Sequence, residues 1–163
     1  MAEKRIGIIM HGVTGRMGYN QHLVRSILAI RDQGGIALSN GDRLVVDPII
    51  VGRDADKIER LAKKHNIARW SSDLDAVLAN PDDTVFFDAG TTLMRASLIE
   101  KALASGKHVY CEKPTSDSLD IAVNLAKTAR ASGLKHGVVQ DKLFLPGLLK
   151  LCLLYTSPSP RDS

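Results

Sequence analysis

The chain has 163 residues, enough for one domain with a core of useful size, and its 44% hydrophobic and 25% charged content is ordinary for a globular protein. Aromatics at only 4% argue against a stacking platform for nucleic acid, and the net charge of +4 from dispersed basic residues reads as a solvated surface with a slight basic excess that would also suit an anionic cofactor. No apolar run approaches the ~20 residues of a membrane span, Met-Ala-Glu-Lys-Arg leads straight into a strand, and Cys111 and Cys152 make no disulfide framework, so a cytoplasmic protein is expected.

An apolar run over residues 5–10 predicts the first strand. Gly12-Val13-Thr14-Gly15-Arg16-Met17-Gly18 follows, and then apolar residues at helical spacing: Met17, Leu23, Val24, Ile27 and Leu28. Strand, glycine turn and helix form the context in which a glycine pattern binds phosphate. The first glycine allows a tight turn, the second lets the backbone approach a pyrophosphate, and the third lets helix and strand pack. The N–H groups and dipole of the new helix favour the negative charge. The spacing is G-x-x-G-x-x-G rather than the commoner G-x-G-x-x-G. On this run alone an ordinary strand-to-helix turn therefore stays open.

Residues 33–47 read as a polar, glycine-bearing surface excursion with room for a hairpin. Further strands are expected at 48–52, 84–88, 108–111 and 136–140, with a short one at 68–70. Asp54 is placed to cap a helix carrying Ile58, Leu61 and Ala62, and Ser72 a short one carrying Leu74, Val77 and Leu78. A longer helix carries Leu98, Ile99, Ala102 and Leu103, with Gly106 at its C-terminal end. Another starts near Ser116 or Asp117, carries Leu119, Ala122, Val123 and Ala126, and ends near Gly133. The continuous apolar strands Ile49-Ile50-Val51 and Val85-Phe86-Phe87 predict parallel strands covered on both faces. The alternation as a whole predicts an α/β fold, a doubly wound parallel sheet of Rossmann type, over residues 1–145. Residues 146–151 read as the start of a second domain. Residues 152–163 read as a non-native tail, similar to a translated sequencing adapter, with a genuine disordered C-terminus as the alternative.

Three strand ends carry chemistry. Val51-Gly52-Arg53-Asp54 falls where a dinucleotide enzyme reads the adenosine ribose: an arginine suits the 2′-phosphate of NADP, an acid the 2′-OH of NAD. Arg53 favours NADP over NAD, and Asp54 is read as the helix cap. Asp88-Ala89-Gly90-Thr91-Thr92 faces the same crevice, where small and hydroxyl residues let a cofactor pass close by, a plain helix entry capped by Thr91 or Thr92 being the alternative. Glu112-Lys113-Pro114 emerges from the next strand. There an ammonium can steady a substrate hydroxyl or the nicotinamide ribose, a salt-bridged turn being the alternative. His11, His22, His65, His108 and His136 read as surface or strand-end histidines, and Cys111 as a buried small residue rather than a nucleophile.

The glycine run, Ala-Ser-Gly-Lys-His-Val-Tyr-Cys-Glu-Lys-Pro at 104–114 and Lys-His-Gly-Val-Val-Gln at 135–140 together resemble the cofactor domain of the Gfo/Idh/MocA oxidoreductases. The resemblance spans residues 4 to about 151. It implies an NAD(P)-dependent enzyme moving a hydride between nicotinamide and a sugar, polyol or related small molecule. Lys113 then matches the catalytic lysine near the reacting carbon, Glu112 its acidic neighbour, and Thr91 a threonine beside the cofactor, with the Lys113–Pro114 bond cis. The cofactor-binding candidates are Gly12, Thr14, Gly15, Arg16, Met17, Gly18, Arg53, Thr91, Glu112 and Lys113. The chain departs from the family in having Thr91-Thr92 for Thr-Pro, Arg95 for a histidine on the following helix, and Gln140-Asp141-Lys142 for an Asn-x-Arg-like stretch. Family members carry acid–base residues in a second domain and associate through its sheet, so the whole protein is expected to be a homo-oligomer and this segment inactive alone. A non-catalytic dinucleotide sensor and a dihydrodipicolinate reductase-like enzyme are the alternatives.

Overall fold

The computed structural model describes residues 2–156. Residues 157–163, the Ser-Pro-Ser-Pro-Arg-Asp-Ser part of the expected tail, lie outside the described residues.

Strand β1 (Glu3–His11) leads through the glycine turn into a π-helix, Gly18–Leu28, which runs into one α-helical turn, α1 (Ala29–Asp32). The sequence pattern alone suggests a standard α-helix at this point. The buried residues are Gly18, Leu23 and Leu28, spaced by five, and that spacing suits the wider π winding. Strands β2 (Ile36–Ala37) and β3 (Arg43–Val51) form the hairpin allowed for in the excursion, but β3 starts earlier than the 48–52 expected. Its charged first half pairs in parallel with β1, Arg43 opposite Glu3 and Asp47 opposite Gly7.

Next come α2 (Ala55–Lys64), β4 (Arg69–Ser71), α3 (Leu74–Ala79), β5 (Asp83–Asp88), α4 (Thr92–Ala104) and β6 (His108–Cys111). Then follow α5 (Leu119–Ala131), β7 (His136–Val138), a 3-10 turn at Asp141–Phe144 and α6 (Pro146–Thr156). Asp54 caps α2 as expected, its carboxylate accepting from Lys57 N–H at 3.0 Å. The cap of α3 is Asp73 rather than Ser72: Asp73 accepts from Ala76 N–H at 3.0 Å, while the Ser71 hydroxyl accepts from Asp73 N–H. Helix α5 is turned from its expected stripe. Leu119 is 79% exposed and Val123 42%, while Leu125 and Ala129 are buried against the sheet. The face that packs is the i, i+3, i+7 set starting at Ala122, not the one starting at Leu119.

Seven strands make one sheet, ordered β2-β3-β1-β5-β6-β7, with β4 beside the far half of β3. Without the short β2, the parallel order is β4-β3-β1-β5-β6-β7, that of a dinucleotide-binding doubly wound sheet. Two apolar clusters cover its faces. One centres on Ile9, Phe86, Ile99 and Ala102 beneath α4 and α5; the other on Met10, Leu23, Ile50 and Ile58 beneath the π-helix and α2. The strand order reverses between β1 and β5, so a crevice opens past their C-terminal ends. Among the described residues no helix is long and apolar enough to cross a membrane, and no group of histidine, cysteine and acid residues could hold a metal ion.

Candidate functional site: a dinucleotide cleft at the strand ends

Register brings the ends of four strands to one edge. His11 lies opposite Val51 on one side and Asp88 on the other, and Asp88 lies opposite Cys111. Past this edge is a cleft lined by His11, Gly12, Thr14, Gly15, Arg53 and Thr91. It continues into a groove where Thr14 and Arg53 meet Asp54 and Lys57.

The glycines have different reasons to be there. Gly12 has φ +77°, and a Cβ on it would lie 2.3 Å from Gly90 N and 2.4 Å from the Ala89 carbonyl carbon. Gly18 faces inward, where a Cβ would lie 2.3 Å from Gly12 O. Gly15 is exposed, and a Cβ there would meet only Gly12 O, at an ordinary 3.4 Å. Nothing in the protein demands glycine at position 15, so its missing side chain keeps the cleft floor open for a group that comes close to the backbone. That is the fit a pyrophosphate needs at a helix N-terminus, although Gly15 N–H already donates to Gly12 O at 3.2 Å and Tyr19 N–H to Gly15 O at 2.8 Å.

The other candidates distribute unevenly. Thr91 occupies the N-cap position of α4, but its side chain makes no capping bond and it lines the cleft. Arg16 lines a shallow groove on the outer side of the turn with Tyr19 and Lys57, and Met17 is 41% exposed on the first helical turn. Lys113 is exposed and Glu112 is buried, and the Lys113–Pro114 bond is cis, as the resemblance implies. Lys57 is a cleft residue that sequence reasoning misses, although it stands one helical turn from Arg53 on a helix whose cap is legible.

Beneath the cleft runs a chain of buried polar contacts. Asp88 is fully buried and accepts from His11 Nδ1 at 2.6 Å, from Gly90 N–H at 2.9 Å and from Arg95 Nε at 2.9 Å. Burial alone would raise its carboxyl, but these hydrogen bonds more than offset that and hold it below the ordinary aspartate value. Glu112 accepts from His22 Nε2 at 2.6 Å and from the Lys113 N–H at 3.0 Å. His22 is thus no surface histidine: its side chain is only 15% exposed, and it sits against Phe87 at 4.6 Å between ring centroids. Arg95 is 2% exposed. Its position is legible, because it precedes Leu98, Ile99 and Ala102 at i+3, i+4 and i+7 on the buried stripe of α4, where a cation must find a partner. Cys111 is buried, and burial pushes its thiol up to about 11, so it is no nucleophile at neutral pH.

The lowered Asp88 carboxyl makes a testable contribution. A carboxylate held below its unfolded value stabilises the fold fully above the ordinary aspartate range, and that stabilisation is lost as pH falls through the folded value. Urea unfolding should show stability dropping below about pH 4. Asp88→Asn should unfold earlier at neutral pH and lose that part of the slope.

The sheet order, the crevice and the glycine turn define a dinucleotide-binding Rossmann domain. The family described as "Oxidoreductase family, NAD-binding Rossmann fold" matches residues 6–140, and the chain belongs to it: it is a member of the Gfo/Idh/MocA oxidoreductases, with NAD(P) as the cofactor class. The chain is 50% identical over 146 residues to D-xylose dehydrogenase of Paenarthrobacter nicotinovorans, a match that covers 90% of this chain and 38% of that relative. A solved putative NADPH-dependent oxidoreductase from Desulfitobacterium hafniense aligns with TM-score 0.69 and 26% identity over 91% of this chain and 38% of the other. An NAD-binding oxidoreductase from Klebsiella pneumoniae aligns with TM-score 0.70 at 22% identity, over 94% of this chain and 39% of the other, and shows the shared fold. The chain thus spans well under half the length of these relatives.

Proposed function

We propose that this chain is the cofactor-binding part of an NADP-preferring dehydrogenase acting on an aldose sugar. In this reading the pyrophosphate lies on Gly12, Thr14 and Gly15, and the adenosine 2′-phosphate lies against Arg53 in the groove it shares with Lys57. The nicotinamide reaches toward Thr91, Glu112 and Lys113, and its C4 carries the hydride. Lys113 is the catalytic residue of this half, its ammonium meeting the hydroxyl or carbonyl oxygen of the reacting carbon. Glu112, held by His22, fixes the backbone of the lysine. Acid–base groups from beyond this segment complete the reaction, so this chain binds cofactor without turning over sugar. The similarity to a D-xylose dehydrogenase supports the aldose.

The observation that carries the NADP preference is the groove shared by Arg53 and Lys57, where the nearest acid, Asp54, is committed to capping α2. Asp54 caps through Oδ1, and its Oδ2 stands 3.9 Å from Lys57 Nζ, which leaves the Arg53 guanidinium as the cation that suits a phosphate. Arg53→Ala is expected to weaken NADPH binding on the order of tenfold or more, one charge-assisted contact contributing about 1.5–3 kcal/mol. NADH binding should change little. Nicotinamide fluorescence titration of both cofactors reads this, and equal losses for the two would contradict the placement of the 2′-phosphate.

A further inference from the structure

Arg95 lies on α4 and is 2% exposed, yet its guanidinium joins three sites: Gly90, which lines the cleft, the buried Asp88 beneath it, and the loop after Lys113. Nε donates to Asp88 Oδ2 at 2.9 Å, Nη2 donates to Gly90 O at 2.7 Å, and Nη1 donates to the carbonyl of Pro114. Through Asp88 the same group reaches His11 at the end of β1. We infer that Arg95 is a positioning residue that sets where the Lys113 ammonium stands against the nicotinamide half of the cofactor. The inference rests on the reading that the cleft binds NADP with Lys113 at its nicotinamide end.

The geometry around Lys113 supports it. The lysine is exposed and sits between two fixed points. On one side Glu112 is anchored twice: its N–H donates to Asp88 O at 2.8 Å, and its carboxylate takes the His22 ring and the Lys113 N–H. On the other side the Pro114 carbonyl is held by Arg95. The remaining Arg95 bonds, to Asp88 and Gly90, aim the guanidinium fork at that carbonyl rather than at the cofactor. Losing the fork frees the loop downstream of Lys113. The diphosphate end is less exposed to the loss, because Gly90 N–H still donates to Asp88 and Ala89 N–H still donates to His11 O at 3.0 Å. A planar fork bonded to three acceptors is a task lysine cannot reproduce, which makes Arg95→Lys informative.

The test separates the two halves of the cofactor. NADPH and 2′-phospho-ADP-ribose, which lacks nicotinamide, are titrated into wild-type protein, Arg95→Met and Arg95→Lys, with circular dichroism and thermal melting as the folding control. Arg95→Lys keeps a cation beside Asp88 and serves as the reporter if Arg95→Met does not fold. The expected result is NADPH binding weaker by about tenfold, with 2′-phospho-ADP-ribose within about twofold of wild type. The emission shift of bound NADPH should also shrink. Parallel loss for both ligands, or no change in either, would show Arg95 to be scaffold only and overturn the inference. If wild type binds neither ligand, the cofactor reading itself fails and the inference falls with it.

Discussion

Gly15→Ala should fold like the wild type and bind cofactor poorly, whereas Gly12→Ala should fail at the level of the fold. A methyl group at position 15 meets only Gly12 O at 3.4 Å, so the protein accommodates it at little cost. On the proposed placement, that methyl group enters the space taken by the pyrophosphate beside the backbone. Losing one backbone N–H contact to a charged oxygen there, worth about 1.5–3 kcal/mol, weakens binding by about tenfold to a hundredfold. At position 12 the methyl group would press on Gly90 N and the Ala89 carbonyl at 2.3–2.4 Å, from a residue with φ +77°. The clash lies between β1 and the loop after β5, both backbone, and neither can give way without breaking the Ala89–His11 ladder bond. Thermal melts with NADPH titration read both variants. The contrast tests the separate roles of the two glycines, and equal destabilisation by both would remove the distinction.

The second large effect lies at the other end of the sheet. Asp83, at the start of β5, is fully buried and accepts from Arg69 Nη1 at 2.9 Å and Nη2 at 2.7 Å, and from Asn80 Nδ2 at 3.0 Å. The hydrogen bond to Asp83 is also what raises the Arg69 guanidinium above its ordinary value. Arg69→Met leaves this carboxylate buried with its main partner gone, and such a broken pair costs about 3–5 kcal/mol. The pair sits one strand length from the cleft, roughly 17 Å along β5. Chemical unfolding should show the loss, and the cofactor affinity of the folded fraction should stay near wild type. A drop in affinity without loss of stability would mean that the two ends of the sheet are coupled through the strands.

Much of this architecture is legible in the sequence because the relevant signals are local. Continuous apolar strands, the glycine turn and the Asp54 cap each depend on a few adjacent residues, and each appears where it is expected. The early start of β3 is obscured by Arg43 and Asp47, charges tolerated in a strand because Asp47 pairs with Arg5 and Arg69 from neighbouring strands. The packed face of α5 is ambiguous in the sequence because Leu119, Val123 and Leu125 offer two overlapping stripes, and only packing chooses between them. The polar chain below the cleft is hardest to see. His22 and Glu112 are 90 residues apart and meet only when the π-helix is laid across Phe87. Arg95 and Asp88 are seven apart, yet their meaning comes from the Pro114 carbonyl, which arrives from another loop.

The placement of NADP in the glycine-turn cleft, with Arg53 and Lys57 at its phosphate end, stands or falls on one titration. The purified chain is titrated with NADPH and with NADH while nicotinamide fluorescence and heat are followed. Saturable binding of one NADPH per chain is expected, at least about tenfold tighter than NADH, as one added charge-assisted phosphate contact requires. Absence of saturable NADPH binding by folded protein, or tighter binding of NADH, would contradict that placement.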